Sequence, residues 1–365
     1  MTQIRPQPFI RPLNIRKREA RVQPEGLPVI DLSFNELPFA PNPSVLEAIN
    51  RTTAHANFYG NPSCEAVRTA LAQHYALDPE QLVVGNGSEE LLDVIGRVFA
   101  NSESEILISE YGYIQFPIVA NRVGATLVKA PESHYTTVVD ALLLCVTGRT
   151  DLLFLANPNN PTGTMIPASE ITRLAEHLPQ RIALVIDLAY AEFAGGDYCE
   201  KMHQLVNSHD NIIVTRTFSK AFGLAGLRIG WLHAPAWMIP TLYAARGMGT
   251  ANAAAQAAAI AALDNRDSTN DNVTQIVDER NRIADALQRL GITVVASQAN
   301  FMMVASPENS EESATEMAAH LFDDAGLLVN QTRETGLEHF IRFSVSLPEH
   351  NNRLIQSLAD FIQSR

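Results

Sequence analysis

The amino-acid sequence predicts an α/β fold in which a mostly parallel central sheet is sandwiched by helices and a smaller α+β domain is attached. Short apolar runs alternate with helical patterns between residues 42 and 262. These runs are continuously apolar, as in strands that are buried on both faces of a parallel sheet. A long charged helical pattern at 270–290 then opens a region of different texture, which predicts the second domain.

The expected elements follow one another along the chain. The strand candidates are QLVVGNG, EILIS, GATLVKAP, TDLLFLANP, IALVID, NIIVTRT and RIGWLHA, with helices such as SEELLDVIGRVFA and SEITRLAEHLP between several of them. After the long helix come GITVVAS, NFMMVAS, a helix at 311–325, GLLVNQ, HFIRFSVS and a final helix. We expect an N-terminal arm or part of the small domain at 1–41, a large domain at 42–262 and a small C-terminal domain at 263–365.

Composition and charge limit the classes of function. The chain has 365 residues, 46% of them hydrophobic, which is enough for a large core. Its net charge is −13, although the first 21 residues carry six basic side chains against Glu19 and leave −18 for the remainder. So acidic a body argues against nucleic acid as a partner. The basic segment contains Pro6, Pro8 and Pro12 and is expected to form an extended arm.

The cysteines and the apolar runs predict a cytoplasmic protein. Cys64, Cys145 and Cys199 lie far apart and form no CxxC pair, which favours a reducing compartment. The N-terminus lacks the apolar region of a signal peptide. The longest apolar run, ANAAAQAAAIAAL at 251–263, is too short to span a bilayer and is expected to be a close-packed helix. We expect no membrane segment and no metal site.

Two loops after predicted strands carry glycines and amides. In VVGNGSEELL, Gly85 and Gly87 permit a tight turn and Ser88 opens a helix, whose free N–H groups form an anion site. Most helix starts of this kind are caps only, so this signal is weak by itself. ANPNNPTG at 156–163 is a long constrained loop that aims amide side chains outward, where a plain turn is the alternative interpretation.

Two further strand ends carry charged groups. Asp187 closes the buried strand IALVID and needs a partner, which is either an ordinary helix end or arginine, or a protonated ring nitrogen. In RTFSKAFGLAGLRIG, Ser219, Lys220 and Arg228 offer a hydroxyl, an amine and a guanidinium. A lysine in an apolar site is destabilised as an ammonium ion and becomes a nucleophile for carbonyls. A lone buried lysine is usually structural, but the combination of four strand ends favours chemistry.

Together these parts suit one cofactor, pyridoxal phosphate. In parallel α/β sheets, ligands bind at the carboxyl ends of the strands. The helix start, a hydroxyl and an arginine would hold the phosphate, and an aspartate would keep the pyridine nitrogen protonated. An asparagine and a tyrosine would bind the phenolic oxygen, and a lysine would form an imine. The protonated ring of this cofactor is an electron sink for Cα carbanions.

The sequence resembles the fold-type I pyridoxal-phosphate aminotransferases and, within them, the histidinol-phosphate aminotransferase branch. The resemblance covers nearly the whole chain, from DLSFNELPF to HFIRFSVS. NPNNPTG, D-x-A-Y-x-E-F, SKAFGLAGLRIG and the late Arg342 occur in the order and spacing of that family, and Lys220 follows Asp187 by 33 residues. The resemblance implies the fold-type I architecture, pyridoxal 5'-phosphate as the cofactor and a homodimer.

The resemblance also implies a role for each matching residue. Lys220 corresponds to the Schiff-base lysine and Asp187 to the partner of the pyridine nitrogen, while Asn160 and Tyr190 correspond to the groups on the 3′ oxygen of the ring. The other implied positions are Gly87, Ser88, Glu89, Ser219 and Arg228 around the phosphate, Tyr113 on the ring face, Tyr59 reaching the phosphate of the neighbouring subunit, and Arg342 and Asn35, with Asn160, at the substrate.

Several positions depart from the pattern of the family or leave a choice. Leu188 replaces a glutamate, which is expected to change packing behind the ring, and Tyr111 and Phe116 compete with Tyr113 as the stacking aromatic. Asn330 stands where histidinol-phosphate enzymes often carry an arginine for the substrate phosphate, and Arg333 is a possible substitute. The donor is therefore expected to be histidinol phosphate-like or another amino acid or amine.

The expected reaction is a ping-pong transamination with a 2-oxo acid, 2-oxoglutarate by analogy, as the acceptor. Lys220 would act as general base and acid at Cα and Arg342 would orient the substrate anion. The alternatives are a decarboxylase, cyclase or eliminase of specialised metabolism on the same fold, and a non-catalytic pyridoxal-phosphate-binding regulator.

Overall fold

The fold was taken from a computed structural model, which describes residues 7–11 and 26–364. The strands in these ranges are β1 (Ile30–Asp31), β2 (Leu82–Gly85), β3 (Glu105–Ser109), β4 (Thr126–Ala130), β5 (Thr150–Ala156), β6 (Ala183–Asp187), β7 (Ile212–Thr217), β8 (Gly230–His233), β9 (Val294–Val295), β10 (Phe301–Ala305), β11 (Leu327–Leu328), β12 (Asn330–Gln331) and β13 (Phe340–Ser344). The basic arm residues at 12–25 lie outside the described residues.

The helices alternate with the strands over most of the chain. They are α1 (Pro43–Thr53), α2 (Glu65–Tyr75), α3 (Ser88–Phe99), α4 (Gln115–Val123), α5 (Val139–Leu144), α6 (Ala168–His177), α7 (Ala191–Ala194), α8 (Tyr198–Ser208), α9 (Ile239–Ala245), α10 (Ala253–Asp264), α11 (Arg266–Arg289), α12 (Glu311–Asp323) and α13 (Pro348–Gln363). Across the described ranges, no helix combines the length and the apolar character that a membrane crossing requires.

The large sheet has seven strands in the order β2-β8-β7-β6-β5-β3-β4. Strand β8 runs antiparallel to both of its neighbours, and the other strand pairs are parallel. Alternate residues of β6 enter two different hydrophobic clusters: Leu184 and Ile186 pack with α6 and α8, and Val185 packs with α3 and α4. The sheet is thus covered by helices on both faces, which confirms the predicted α/β fold and explains its continuously apolar strands.

The second sheet has four antiparallel strands in the order β12-β13-β10-β9. One face is closed by α11, α12 and α13, with Ile341 and Phe343 in their shared core. The other face carries Arg342 and Phe340, because neighbouring residues of a strand point to opposite sides. Strand β1 pairs in parallel with β11, which ties the segment before α1 to this region.

Residues 7–11 lie against α4 of the large sheet region. The backbone of Arg11 exchanges two hydrogen bonds with the Asn121 amide, at 3.0 and 3.2 Å. The domain boundaries at 41 and 262 stay a prediction.

Candidate active site

One edge of the large sheet collects the chemical groups. Strands β2, β5, β6 and β7 run in the same direction, so their carboxyl ends meet there. Antiparallel β8 begins at the same edge with Gly230, opposite Gly85 and Thr217. The four sequence features therefore come together for a topological reason.

An anion cradle lies at the start of α3. Gly87 precedes the helix with φ +83°, and a Cβ there would stand 2.8 Å from the Arg228 Nη2. A Cβ on Gly230 would stand 2.5 Å from the backbone nitrogen of Ser88. Only glycine at both positions allows the guanidinium and the helix N-terminus to approach one another.

Arg228 joins the cradle to the lysine loop. Its backbone is left-handed, with φ +56°. Its Nη1 donates to the Ser219 hydroxyl at 3.2 Å, and its Nη2 donates to the Glu89 carboxylate at 3.2 Å. Ser219 in turn donates its backbone N–H to the Thr217 hydroxyl at 3.1 Å. Guanidinium, hydroxyl and helix N-terminus together form a site that suits a phosphate.

The Lys220 amine has backbone carbonyl oxygens as its acceptors. Its Nζ donates to the backbone oxygens of Asn35, at 3.1 Å, and Phe34, at 3.4 Å. Burial, followed by the charge of Arg342, lowers the pKa of Lys220 from 10.5 to about 8. The amine is therefore closer to its nucleophilic neutral form than an exposed lysine is at neutral pH.

Asp187 is buried at the end of β6. Its Oδ1 accepts a 2.9 Å hydrogen bond from Thr215 on β7. Burial raises the pKa of Asp187 to about 6, against the opposing effects of Thr215, Arg216 and Lys220. Its neighbours do not offset the cost of burying the carboxylate charge. Asp187 is therefore suited to bind a cationic ligand atom, such as a protonated ring nitrogen.

Tyr190 connects three parts of the chain. Its hydroxyl accepts from the Asn35 amide at 3.0 Å and from the Asn160 amide at 3.4 Å. Burial raises the pKa of Tyr190 to about 12, so the phenol stays protonated and can donate its own hydrogen. Arg342 donates to Asn160 Oδ1 and lies 5.3 Å from the Phe301 ring centre.

Asn35 is held in a strained position beside this group. Its backbone is left-handed, with φ +57°, and its N–H donates to the Ser344 hydroxyl at 2.9 Å. Its side-chain Oδ1 is buried and has no hydrogen-bond partner among residues 7–11 and 26–364. An unsatisfied buried acceptor next to the lysine and the tyrosine is a feature that a ligand would relieve.

The three competing aromatic residues separate clearly. Phe116 stacks on Phe154 in the core, with ring centres 4.8 Å apart. Tyr111 lies near Tyr135, with ring centres 6.0 Å apart, under the loop that contains Gly336. The Tyr113 hydroxyl donates to Glu89 at 2.7 Å, and the charges of Asp187 and Tyr190 act on it. Tyr113 is thus the aromatic residue that lies closest to the groups of the predicted site.

The remaining predicted residues lie apart from this cluster or at its margin. Asn330 pairs directly with Arg342 across β12 and β13, so both lie on the same face of the small sheet. Gln331 contacts Thr315 on α12, which is the opposite face. Arg333 is exposed. Tyr59 is fully exposed, at 105% of its reference area, and is not brought into the cluster within this chain.

Sequence reasoning missed several supporting residues. Thr215 binds Asp187, and Asn159 donates to the Tyr111 carbonyl at 3.0 Å. The Asn300 amide donates to the Asn35 carbonyl at 3.0 Å. A polar residue within a continuously apolar strand such as NIIVTRT was a signal for Thr215, whereas the Asn300 contact joins residues 265 positions apart and leaves no local trace.

Comparison with known proteins shows the family of this chain. The family described as Aminotransferase class I and II matches residues 28–362. The chain is 39% identical over 342 residues to a histidinol-phosphate aminotransferase of Erythrobacter litoralis, covering 92% of this chain and 91% of the relative. It is 36% identical over 337 residues to one from Rhodopseudomonas palustris, with 92% of each chain covered.

A solved structure has the same fold. The crystal structure of histidinol-phosphate aminotransferase from Sinorhizobium meliloti, in complex with pyridoxal-5'-phosphate, matches with a TM-score of 0.87 and 30% identity, covering 92% of this chain and 91% of the other. The chain therefore belongs to the class I and II aminotransferases, enzymes that depend on pyridoxal phosphate.

Proposed function

We propose that this aminotransferase holds pyridoxal 5'-phosphate at the carboxyl edge of the large sheet and exchanges the amino group of an amino acid or amine with a 2-oxo acid such as 2-oxoglutarate. The observation that carries the proposal is the presence of both Lys220 and Asp187 at this edge, each hydrogen-bonded, within the described residues, only to uncharged groups. Burial lowers the pKa of Lys220 and raises the pKa of Asp187, so the charged form of each group is poorly compensated.

The residues present fit the cofactor. Gly87, Ser88, Glu89, Ser219 and Arg228 would hold the phosphate, the first three through the helix start. Asp187 would bind the ring nitrogen, Asn160 and Tyr190 the ring oxygen, and Tyr113 the ring face. When bound, the cofactor supplies a carbonyl carbon for the amino group and a ring that withdraws electrons from Cα.

The side chains divide the remaining work. Lys220 Nζ removes the proton from the Cα of the donor and later returns a proton, as general base and acid. Asp187 stabilises positive charge at the ring nitrogen throughout. The Tyr190 hydroxyl stays protonated and donates a hydrogen bond to an oxygen acceptor. Burial of the Lys220 amine lowers its pKa to about 8, which favours the neutral, reactive form.

Arg342 is proposed to bind the anionic group that donor and acceptor share. Its guanidinium lies on the site face of the small sheet and is fixed by Asn160. Asn330 lies directly opposite on the same face and contributes a neutral amide. Arg333, three residues further along the chain, is exposed and follows Gln331, whose side chain points to α12. We therefore propose that one guanidinium, with an amide beside it, recognises the substrate anion.

A spectral screen tests the proposed function. Purified protein is mixed with amino acids and amines, histidinol phosphate included, and the visible band of the bound cofactor is followed together with the products. Transamination predicts conversion to the pyridoxamine form and an oxo product. Formation of carbon dioxide and an amine without any oxo product would instead identify a decarboxylase. A visible band that does not change with any donor would identify a non-catalytic protein.

We also propose a homodimer in which Tyr59 reaches the cofactor phosphate of the neighbouring subunit. Phe58 and Tyr59 are 69% and 105% exposed, which is unusual for adjacent aromatic residues of a single chain. Sedimentation of an active monomer would contradict this role.

The three cysteines are free, which supports the proposed cytoplasmic location.

A further inference from the structure

Strand β7 carries different chemistry on its two faces. Thr215 points to the site side and binds Asp187, while Thr217 supports the backbone of Ser219. Arg216, between them, points to the opposite face, where α8 covers the sheet. A charged side chain within a strand whose six residues are all buried requires a specific set of partners.

Those partners are closely arranged around the guanidinium. Arg216, 1% exposed, forms an ion pair with Glu192 and donates to the Tyr75 hydroxyl at 3.3 Å. Its guanidinium carbon lies 4.9 Å from the Tyr75 ring centre and 5.6 Å from that of Trp231. The planar cation thus lies beside two aromatic rings, whose own centres are 5.2 Å apart, while its edges are hydrogen-bonded.

Two histidines extend the network. The Arg216 Nη1 lies 3.4 Å from His203 Nε2, and His203 Nδ1 lies 3.2 Å from His233 Nδ1. Because arginine only donates, His203 Nε2 must accept, and its proton is on Nδ1, from which it donates to His233. Burial lowers the pKa of both imidazoles, and Arg216 adds to this effect at His203. Glu192 is the counter-charge of Arg216.

Glu192 lies two residues after Tyr190 on the short helix α7. Tyr190 and Glu192 belong to the segment that follows Asp187. At its start the Leu188 N–H donates to the Thr215 carbonyl at 2.9 Å. Its far end is held by the Glu192–Arg216 ion pair. Tyr190 therefore sits between two attachments to β7, the strand that continues into Ser219 and Lys220.

We propose that the Glu192–Arg216 ion pair is a positioning device, which from the back of the sheet sets the Tyr190 hydroxyl in register with the Lys220 turn. Neither residue is assigned to the cofactor or the substrate, although the charge of Arg216 acts on Asp187. The inference rests on the proposed function of Tyr190 and Lys220, because it is their relative placement that the pair controls.

A double-mutant cycle tests this role. We expect Glu192→Gln, which keeps the shape but removes the charge, to lower kcat/KM about tenfold through displacement of Tyr190. In a Tyr190→Phe background the same substitution should cost less than about twofold, because the group on which it acts is gone. Both single variants should move the pH midpoint of the visible cofactor band in the same direction. If kcat/KM of the double variant fell by the product of the two single-variant factors, the proposal would be overturned.

A matched control separates positioning from stability. Glu105 is 5% exposed, lies on β3 of the same sheet and forms an ion pair with Arg149 away from the site. Glu105→Gln should lower Tm while kcat/KM and the cofactor band stay unchanged. Glu192→Asp, which retains the charge, should have higher activity than Glu192→Gln, and it replaces Glu192→Gln in the cycle if that variant fails to fold. Equal effects of the Glu192 and Glu105 variants on every readout would show a purely structural role.

The failure of this inference is distinguishable from failure of the proposed function. If Lys220→Ala were still linked covalently to the cofactor by borohydride, the assignment of the lysine would fail whatever the cycle shows. If that labelling is lost as expected but the cycle is multiplicative, only the positioning role of Glu192 fails.

Discussion

The cofactor half and the substrate half of the site are built in different ways. Asp187, Lys220 and the Gly87 turn lie at or just after the carboxyl ends of β6, β7 and β2, which run in the same direction in one sheet, with antiparallel β8 between β7 and β2. Asn35, Asn330 and Arg342 come from the second sheet and the segment beside it, and the Asn35 backbone meets Ser344 across 309 positions. The first half follows from local strand ends, whereas the second depends on contacts that span the chain.

This difference teaches which residues can change independently. The edge of the large sheet holds its groups by a topology that many side chains enforce together. The small sheet presents Asn330 at a single register position opposite Arg342. We expect a substitution there to alter what the site recognises without disturbing the edge where the cofactor is expected.

The largest expected effect breaks the cofactor half. Lys220→Ala should reduce kcat by about 10⁴-fold or more, because both the covalent attachment and the proton transfer at Cα are lost. Single-turnover measurements with a reactive donor, together with borohydride labelling, check this. The matched control is Lys201→Ala, an exposed lysine on α8 whose ion pair with Asp197 is superficial. Equal activity of the two variants would remove Lys220 from the mechanism.

A substitution in the substrate half should leave cofactor binding unchanged. Arg342→Gln should raise KM for an anionic donor about 100-fold, which corresponds to about 2.7 kcal/mol of lost charge-assisted binding. The visible spectrum of the bound cofactor should stay close to that of the unmodified protein. Arg333→Gln is the control, since that side chain is exposed. Loss of the cofactor from the Arg342 variant would show that the two halves are not separable.

A smaller effect concerns the stability of the cofactor-free protein. Folding raises the pKa of Asp187 from 3.8 to about 6, so its contribution to stability falls as the pH rises through that interval and then stays low. Folding lowers the pKa of Lys220 from 10.5 to about 8, so its contribution recovers only as the pH rises from 8 to 10.5. Both penalties are therefore fully present between pH 6 and 8.

Removing one of these charges should stabilise the empty protein. Asp187→Asn is expected to raise the unfolding free energy at pH 7 by about 2 to 3 kcal/mol, since the pKa shift from 3.8 to about 6 is about two units and one unit corresponds to about 1.4 kcal/mol. Denaturant titration without cofactor measures this. The gain should vanish below about pH 3, where the aspartate is protonated in both the folded and the unfolded state. A gain that is independent of pH would point to packing instead of charge.

The smallest expected effect concerns the choice between substrate anions. Asn330→Arg should raise the preference for a donor with a doubly charged phosphate over one with a carboxylate, by about tenfold or about 1.4 kcal/mol. The ratio of kcat/KM for the two donors measures it. Gln331→Arg is the matched control, because the side chain of Gln331 points to α12. The same shift in both variants would reflect added surface charge and would contradict the face assignment.

The limits of prediction from the sequence follow the same division. The continuously apolar strands and the turns after them predicted the large sheet and grouped Gly87, Asn160, Asp187 and Lys220, because periodicity and turn chemistry are local properties. The reversed direction of β8 and the contacts of Asn35 were not predicted, since strand pairing depends on the whole chain. Arg216 in NIIVTRT was an overlooked signal: a charge in an apolar strand requires a buried partner.

The pKa shifts of Asp187 and Lys220 also have a consequence for protein abundance. The same two groups that make the pocket reactive weaken the empty chain near neutral pH, and a ligand that binds only the folded state restores that loss by mass action. A chain made when the cofactor is scarce would spend more time unfolded and be exposed to proteolysis. We therefore expect the level of this protein in a cell to follow the supply of its cofactor, and that of an Asp187→Asn variant to follow it less.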